Sequence, residues 1–186
     1  MVRLALSTLL FYGLHSVLAM ERIKGWVGHS PVIARWYRLF YSLSSLALVV
    51  LVAFRYTHVP ALRAFPSTPL PTILGWLLVW SGTALISVAL RQTGLWSFIG
   101  LRPDRVTGLL RNGPYRWVRH PIYTGVISMA LGWCLLCPTL PTALVCLITL
   151  LYLPFGIRHE ESRLVQQFGE AYRNYQHEVP ALWPRF

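Results

Sequence analysis

The sequence predicts an all-α integral membrane protein with about five transmembrane helices, and three observations support this prediction. Hydrophobic residues make up 55% of the 186-residue chain and charged residues only 12%. The mean hydropathy is +0.50, far from the balance of a soluble domain. The apolar residues fall into long runs separated by polar segments, as membrane-spanning helices require. The net charge of +11 favours, in so apolar a chain, basic cytoplasmic loops over a nucleic-acid partner.

A spanning helix needs about 20 apolar residues, and the runs provide five such helices in a single membrane domain. The first run leads into "ERIKGW" rather than a cleavage site, so we expect it to be retained. The last apolar region is interrupted by "CPTLP", whose Pro138 and Pro141 cannot continue a helix, which predicts a helical hairpin of two spans. In this single domain of residues 1–186, the first 90 residues hold spans at about 2–20, 37–54 and 71–90, and residues 91–186 hold the hairpin at about 122–137 and 141–157.

The basic residues predict the orientation of these spans. Fourteen of the 17 Lys and Arg residues lie on one side of the predicted membrane, and all six acidic residues lie there too. The opposite side has only Arg3, Arg55 and Arg63. Because cytoplasmic loops are enriched in Lys and Arg, we expect the N-terminus outside and the C-terminus in the cytoplasm, in a bacterial inner membrane.

Two cytoplasmic segments carry more than connecting sequence. The segment from Arg91 to His120 is rich in Gly, Arg, Trp and Tyr and has too many turn signals for one helix, so it predicts a folded loop. The segment from Arg158 to about Glu178 places apolar residues at helical spacing, with polar residues on the other face. This pattern predicts a C-terminal amphipathic helix at the membrane surface.

The heptapeptide "RHPIYTG", residues 119–125, is the first candidate for chemistry. Pro121 suits the first position of a helix, and His120 before it is pushed away from helical geometry. The start of this span would then expose backbone N–H groups to the cytoplasm beside Arg119 and His120, which suits a carboxylate or phosphate. Alternatively, Arg119 only anchors the span at the lipid headgroups.

The second candidate is the carboxylate pair in "HEESRL". The simplest explanation is that Glu160 and Glu161 compensate a helix dipole. However, Glu160 shares a helical face with Leu164 and Phe168, which suggests that it turns inward and needs a partner there. Arg119, Arg116 or the hydroxyls or ammonium of a bound ligand are the candidate partners.

Together, "GPYRWVRHPIYTG" and "EESRLVQQFGEAYRNYQHEVPALWP" strongly resemble the isoprenylcysteine carboxyl methyltransferase and phospholipid methyltransferase superfamily of membrane enzymes. The shared pattern is G-x-Y-x-x-x-R-H-P-x-Y-x-G, then E-E-x-x-L, then F-G-x-x-Y-x-x-Y, then V-P, and every position is matched between about residues 107 and 184. The resemblance implies an S-adenosylmethionine-dependent methyltransferase acting on a small apolar or lipid-like acceptor. It also implies cofactor contacts from the loop, the hairpin and the C-terminal helix, at Thr107, Gly108, Leu109, Leu110, Tyr115, His120, Pro121, Tyr123 and Glu160.

The N-terminal half has a second resemblance. "FYGLHSVLAMERIKGW" and "RWYRLFYSLSSLALV" are similar to the bacterial branch that includes proteins associated with nitric-oxide reduction and membrane methanethiol methyltransferases. The prenylcysteine enzymes, by contrast, carry a substrate-binding arginine one helical turn before the first Glu. Gly156 occupies that position here and Arg158 is two residues displaced, which argues against a prenylcysteine carboxylate, although Arg158 remains the candidate substrate contact.

The sequence leaves several roles open. Arg119 and Glu161 are the candidate catalytic residues: Arg119 either holds the loop against Glu161 or orients the acceptor. Glu161 or His159 would act as general base for an amine, whereas a carboxylate or thiolate acceptor needs no base. The acceptor can therefore be a lipid, a prenylcysteine, a thiol or an amine, and the oligomeric state is open.

Two other classes compete with an active methyltransferase. A non-enzymatic redox accessory protein would bind haem or a quinone through His15 and His120, and a degenerate family member would keep the cofactor pocket without turnover. The spacing of Cys134 and Cys137 has no second pair or histidine cluster beside it, so we predict no metal site.

Overall fold

Apolar α-helices dominate the computed structural model, which describes residues 1–20, 23, 31–64, 66, 68–94 and 108–184. Within these ranges, β-pairing is limited to an isolated bridge between Arg63 and Thr139. A short 3-10 helix, Gly113–Arg116, precedes the fourth α-helix. The α-helices are α1 Val2–Ala19, α2 Pro31–Thr57, α3 Pro69–Thr93, α4 Pro121–Leu136, α5 Leu140–Phe168 and α6 Glu170–Glu178.

These helices confirm the predicted all-α membrane protein. Four of them, α1, α3, α5 and residues 35–57 of α2, are long and apolar enough to cross a membrane. The fifth apolar helix, α4, has 16 residues and is the shortest of the five. It pairs with α5 in the predicted hairpin: Pro141 lies in the first turn of α5, and the Thr139 side chain caps that turn by accepting from the Thr142 N–H.

The C-terminal helix differs from the prediction. Instead of a separate helix from Arg158 to Glu178, α5 continues without a break to Phe168, and α6 begins only after Gly169. Gly169 has φ of +55°, a conformation that glycine adopts without steric cost. Pro154 lies inside α5 but does not end it. The carboxylate pair is therefore held on a rigid extension of a spanning helix.

Glycines allow α3 and α4 to pack at close range. A Cβ added to Gly82 would lie 2.6 Å from the carbonyl oxygen of Gly125, and one added to Gly75 would lie 3.0 Å from that of Gly132. The two glycine pairs are seven residues apart on each antiparallel helix, so both contacts lie on the same faces. Close helix packing through small residues is a common solution in membranes. It explains Gly125 of the heptapeptide as a packing residue.

Candidate active site

The site is built where the chain after α6 runs back along the start of α4. The backbone N–H of Arg119 donates to the Pro180 carbonyl at 2.9 Å, and that of His120 donates to the Ala181 carbonyl at 3.0 Å. The Thr124 hydroxyl donates to the Leu182 carbonyl at 2.9 Å. The "VPALW" segment therefore closes the site by backbone pairing. Sequence reasoning missed these contacts, because carbonyl groups leave no signal in the residue types.

This pairing involves the two residues that precede the predicted anion site at the start of α4. Pro121 is the first residue of the helix and His120 precedes it in a non-helical conformation, φ −124° and ψ 64°, as the sequence predicts. The backbone N–H groups of Arg119 and His120, which precede the helix, are bonded to the C-terminal segment and are not available to a ligand. The anion site at the N–H groups of the first helical turn stays a prediction.

The carboxylate of Glu161 is the centre of a hydrogen-bond cluster. Its Oε1 atom accepts from Arg119 Nε at 2.9 Å and lies 2.7 Å from the second guanidinium nitrogen, Nη2. The same oxygen lies 3.0 Å from His120 Nε2 and 3.5 Å from the Tyr172 hydroxyl. Oε2 accepts from Gln176 Nε2 at 3.0 Å. This cluster joins the loop, α5 and α6 at one carboxylate.

Arg119 completes the closure of the site. Besides Glu161, its guanidinium donates to the carbonyls of Gln176 and Val179. Its side chain is 11% exposed and that of Glu161 is 18% exposed, so water screens the pair only partly. Of the two roles left open for Arg119, holding the loop against Glu161 is the one that the geometry shows.

The surroundings of Glu161 set its charge state. The four charged residues from Arg158 to Arg163 place this part of α5 beyond the apolar segment that spans the bilayer. Burial alone would raise the pKa of Glu161, but hydrogen bonds from His120 and Arg119 and the charges of both outweigh burial and lower the pKa to about 2. Glu161 is therefore an ionised anchor at neutral pH.

Of the partners that the sequence leaves open for Glu160, Arg119 pairs with the neighbouring carboxylate instead. It is Glu161 that turns to Arg119, while Glu160 Oε2 lies 3.7 Å from His120 Nδ1 and its side chain is 36% exposed. Tyr123 lies close enough to Glu160 to interact with its charge. His120, with a side chain only 3% exposed, thus lies between the two carboxylates. Glu160 presents the accessible one.

Tyr115 connects the 3-10 helix to this cluster. Burial raises the pKa of Tyr115 to about 12, with the charge of Glu160 as the next cause. Its phenol is therefore neutral at pH 7. The preceding Gly113 has φ of +57°, a conformation that glycine adopts without steric cost, and a Cβ there would displace the end of the Gln92 side chain. This requirement accounts for the glycine of "GPY".

The remaining predicted site residues that the structure describes differ in their exposure to solvent. Leu109 and Leu110 are half-buried, and Gly108 is exposed with open space around its Cα. Thr107 lies outside the described residues. Arg158 and His159 are exposed on α5. Sequence reasoning missed Gln176 as a partner of Glu161, although its position one helical turn after the apolar Tyr172 could have indicated it.

The histidines required by the redox alternative are both engaged by protein groups. The ring of His15 lies between α1 and α2, with Nε2 2.9 Å from the Tyr41 hydroxyl and Nδ1 3.1 Å from the Ser45 hydroxyl. His120 faces Glu161 and Glu160. His15 therefore has the alternative role that an intramembrane histidine can have, a hydrogen bond between neighbouring helices.

The protein is an all-α bundle in which a partly exposed carboxylate lies beside a buried histidine, and its own C-terminal segment closes this site. The sequence motifs of the site indicate a membrane methyltransferase. The family model described as phospholipid methyltransferase matches residues 70–171, more than half of the chain. The chain belongs to this family, which confirms the resemblance predicted from the sequence.

Curated relatives carry methyltransferase names. Methanethiol S-methyltransferase 1 of Bradyrhizobium diazoefficiens is 32% identical, over 94% of this chain and 64% of that protein. Methanethiol S-methyltransferase of Pseudomonas deceptionensis is 32% identical, over 94% of this chain and 69% of that protein. Protein-S-isoprenylcysteine O-methyltransferase of Saccharomyces cerevisiae is 33% identical, over 64% of this chain and 53% of that protein. The chain thus spans about two thirds of the length of its methanethiol relatives, and no solved structure matches it.

Proposed function

We propose that this protein transfers the methyl group of S-adenosylmethionine to the sulfur of a small apolar thiol. The observation that carries the proposal is the accessible carboxylate of Glu160, set between His120 and Tyr123 at the end of a spanning helix. The thiol is favoured over the other acceptors because the relatives named methanethiol S-methyltransferases match 94% of the chain, whereas the yeast isoprenylcysteine enzyme matches 64%. The glycine at position 156 also favours an acceptor without a carboxylate.

The donor set around Glu160 fits S-adenosylmethionine. Glu160 offers a carboxylate to the ribose hydroxyls or the ammonium group, and His120 stands beside it. The neutral, half-buried Tyr115 and the half-buried Leu109 and Leu110 offer apolar contact to the adenine ring. We assign the remaining contacts to Thr107, Gly108, Pro121 and Tyr123. All of these residues lie in the C-terminal half, 91–186.

Catalysis would then rest on position and on charge. When bound, S-adenosylmethionine supplies a methyl group attached to a positively charged sulfur. This methyl group would be the electrophile for an acceptor that reaches the site as the thiolate, its proton already given to solvent, and the cofactor would leave as the neutral thioether. Glu160 and Tyr123 hold the reacting groups in line, and such positioning can contribute several kcal/mol. The apolar helices keep water from the thiolate.

Arg119 and Glu161 would contribute to catalysis as positioning residues. Both are committed to each other and to the C-terminal segment, and together they fix the ring of His120. The low pKa of Glu161 makes it a poor general base, and a thiolate acceptor requires none. Arg158 lies exposed on α5 and remains the candidate contact for an acceptor or lipid headgroup.

We infer that the site faces the cytoplasm of a bacterium, where the water-soluble cofactor is made. The distribution of basic residues supports the cytoplasmic orientation, and the relatives from bacteria support a bacterial membrane. An apolar thiol can reach the site from the bilayer, between the spanning helices.

Calorimetric binding of S-adenosylhomocysteine to the purified protein tests the proposal. We expect the wild type to bind, and Glu160→Ala to bind about 10- to 100-fold more weakly, the value of a charged hydrogen bond. Glu170→Ala is the matched control, because Glu170 is exposed and pairs only with Arg173 among the described residues. Absence of binding to the wild type would overturn the assignment, and so would equal affinity of the Glu160 and Glu170 variants.

A further inference from the structure

A cavity that is partly open at the surface lies between the helices, away from the carboxylates. Its volume is about 340 Å³, within the range of small-molecule sites, and α1, α2, α4 and α5 all contribute to it. The lining includes Tyr12, Tyr56, Trp133 and Thr149. Thr149 precedes Glu160 by 11 residues on the same helix, which corresponds to about 16 Å along the axis. The cavity is therefore separate from the site around Glu160 but lies along the same helix.

Two stacked tyrosines separate the cavity from the site. The ring of Tyr12 lines the cavity and stacks on the ring of Tyr152 with centroids 4.2 Å apart. Each hydroxyl is fixed: that of Tyr12 donates to Thr149 Oγ1 at 2.8 Å, and that of Tyr152 lies 2.7 Å from Ser16 Oγ. A stack held at both ends between α1 and α5 forms a fixed wall of the cavity.

The far side of Tyr152 faces the site. A Cβ on Gly156 would lie 3.4 Å from both Tyr152 Cε1 and the Tyr123 hydroxyl, and Tyr123 lies close enough to Glu160 to interact with its charge. On α5, Thr149, Tyr152, Gly156 and Glu160 follow one another at spacings of three and four residues, so they share one helical face. This face runs from the cavity at Thr149, past the ring of Tyr152 and past Gly156, to the accessible carboxylate of Glu160.

We propose that Tyr152 determines the length of the acceptor. The inference rests on the proposed function and adds the size class of its substrate: a thiol whose apolar part is short enough to end at the Tyr12–Tyr152 stack. A longer alkyl thiol would have to displace the Tyr152 ring to enter the cavity. Removing the ring joins the cavity to the site, and a chain of about 16 Å could then extend from Glu160 to the level of Thr149.

Competition between a short and a long thiol tests this assignment. The purified protein with S-adenosylmethionine is given ethanethiol or decanethiol, and kcat/KM is measured for each. We expect Tyr152→Ala to raise the ratio of decanethiol to ethanethiol by at least about tenfold, the scale of discrimination that a pocket wall provides. Tyr152→Phe keeps the ring and should leave the ratio within about twofold of wild type.

Phe155→Ala is the matched control. Phe155 is on the same helix three residues away, but its side chain is 67% exposed and faces away from the bundle, so the ratio should not change. An unchanged ratio in Tyr152→Ala, or an equal change in Phe155→Ala, would overturn the role of Tyr152. If Tyr152→Ala no longer binds S-adenosylhomocysteine, Tyr152→Leu replaces it, with the same direction of change expected and the same outcome overturning it.

The outcomes separate the two proposals. If the wild type methylates neither thiol, the proposed function is wrong, and the proposed role of Tyr152 is wrong with it. If it methylates ethanethiol and the ratio does not respond to the loss of the ring, thiol methylation stands and the length-limiting role of Tyr152 is wrong.

Discussion

Glu161 receives hydrogen bonds from the loop, from α6 and from a buried histidine, so its replacement tests what the cluster contributes. Glu161→Gln keeps the size of the side chain but leaves the Arg119 guanidinium, 11% exposed, without a countercharge. We expect the free energy of unfolding to fall by about 1.5–3 kcal/mol, the range for hydrogen bonds to charged groups. Unfolding in detergent measures it. Glu170→Gln, whose exposed ion pair with Arg173 contributes little, is the control, and equal losses would contradict the prediction.

The difference in stability between the wild type and Glu161→Gln should depend on pH. The fold lowers the pKa of Glu161 from 4.5 to about 2, so the ionised carboxylate stabilises the fold above about pH 4.5. As pH falls from there towards 2, the wild type loses this contribution, while Glu161→Gln has none to lose. The gap in stability between them should therefore shrink over this range, and a gap that stays constant down to pH 2 would show that the charge of Glu161 is not the cause.

For single residues, the sequence predicts the identity of the site residues more accurately than it predicts their contacts. Arg119, His120, Glu160 and Glu161 meet at one place, as the motif spacing indicates. Helical periodicity assigned the inward position to Glu160, because that residue shares a face with Leu164 and Phe168. The structure turns Glu161 inward because Gln176, Tyr172 and the Arg119 guanidinium surround it, and these partners come from tertiary contacts that no local pattern contains.

Between elements, the contact of α3 with α4 depends on the absence of side chains. In Gly82→Ala the new methyl group would lie 2.6 Å from the Gly125 carbonyl oxygen, so the helices must separate, and overpacking of this kind costs about 1–3 kcal/mol. Gly13→Ala is the control, because nothing lies within 4 Å of that Cβ and alanine favours a helix. Thermal unfolding should show Gly82→Ala less stable than wild type and Gly13→Ala at least as stable. The reverse order would contradict close packing at Gly82.

The sequence predicts the secondary-structure elements more accurately than it predicts side-chain contacts. Hydrophobic runs predict the five apolar helices, and Pro138 and Pro141 predict the turn of the hairpin. The same reasoning placed a helix boundary at Arg158, where polarity changes but the backbone does not: no glycine or proline lies between Arg158 and Phe168, and α5 runs through. The break occurs at Gly169, whose positive φ marks a backbone change rather than a change of polarity.

In the whole molecule, the two ends of the helix pair α4 and α5 carry different features. The carboxylate cluster and the C-terminal segment lie at one end of α4 and α5, and the turn between these helices, with Cys137, lies at the other. The sequence assigns fourteen basic residues to the loops on the side of the first end, so the positive-inside bias predicts that the cluster is cytoplasmic and that Cys137 faces outward.

A membrane-impermeant maleimide applied to intact cells tests this orientation. Cys137 is exposed, whereas Cys134 is half-buried and Cys146 is buried, so labelling of the wild type should occur from outside and be lost in Cys137→Ser. Arg158→Cys in that background places a thiol at an exposed position of α5, three residues from Glu161, and it should react only after the membrane is permeabilised. Labelling of Arg158→Cys in intact cells, in the Cys137→Ser background, would reverse the orientation. It would also place the carboxylate cluster on the side away from the cytoplasmic cofactor pool.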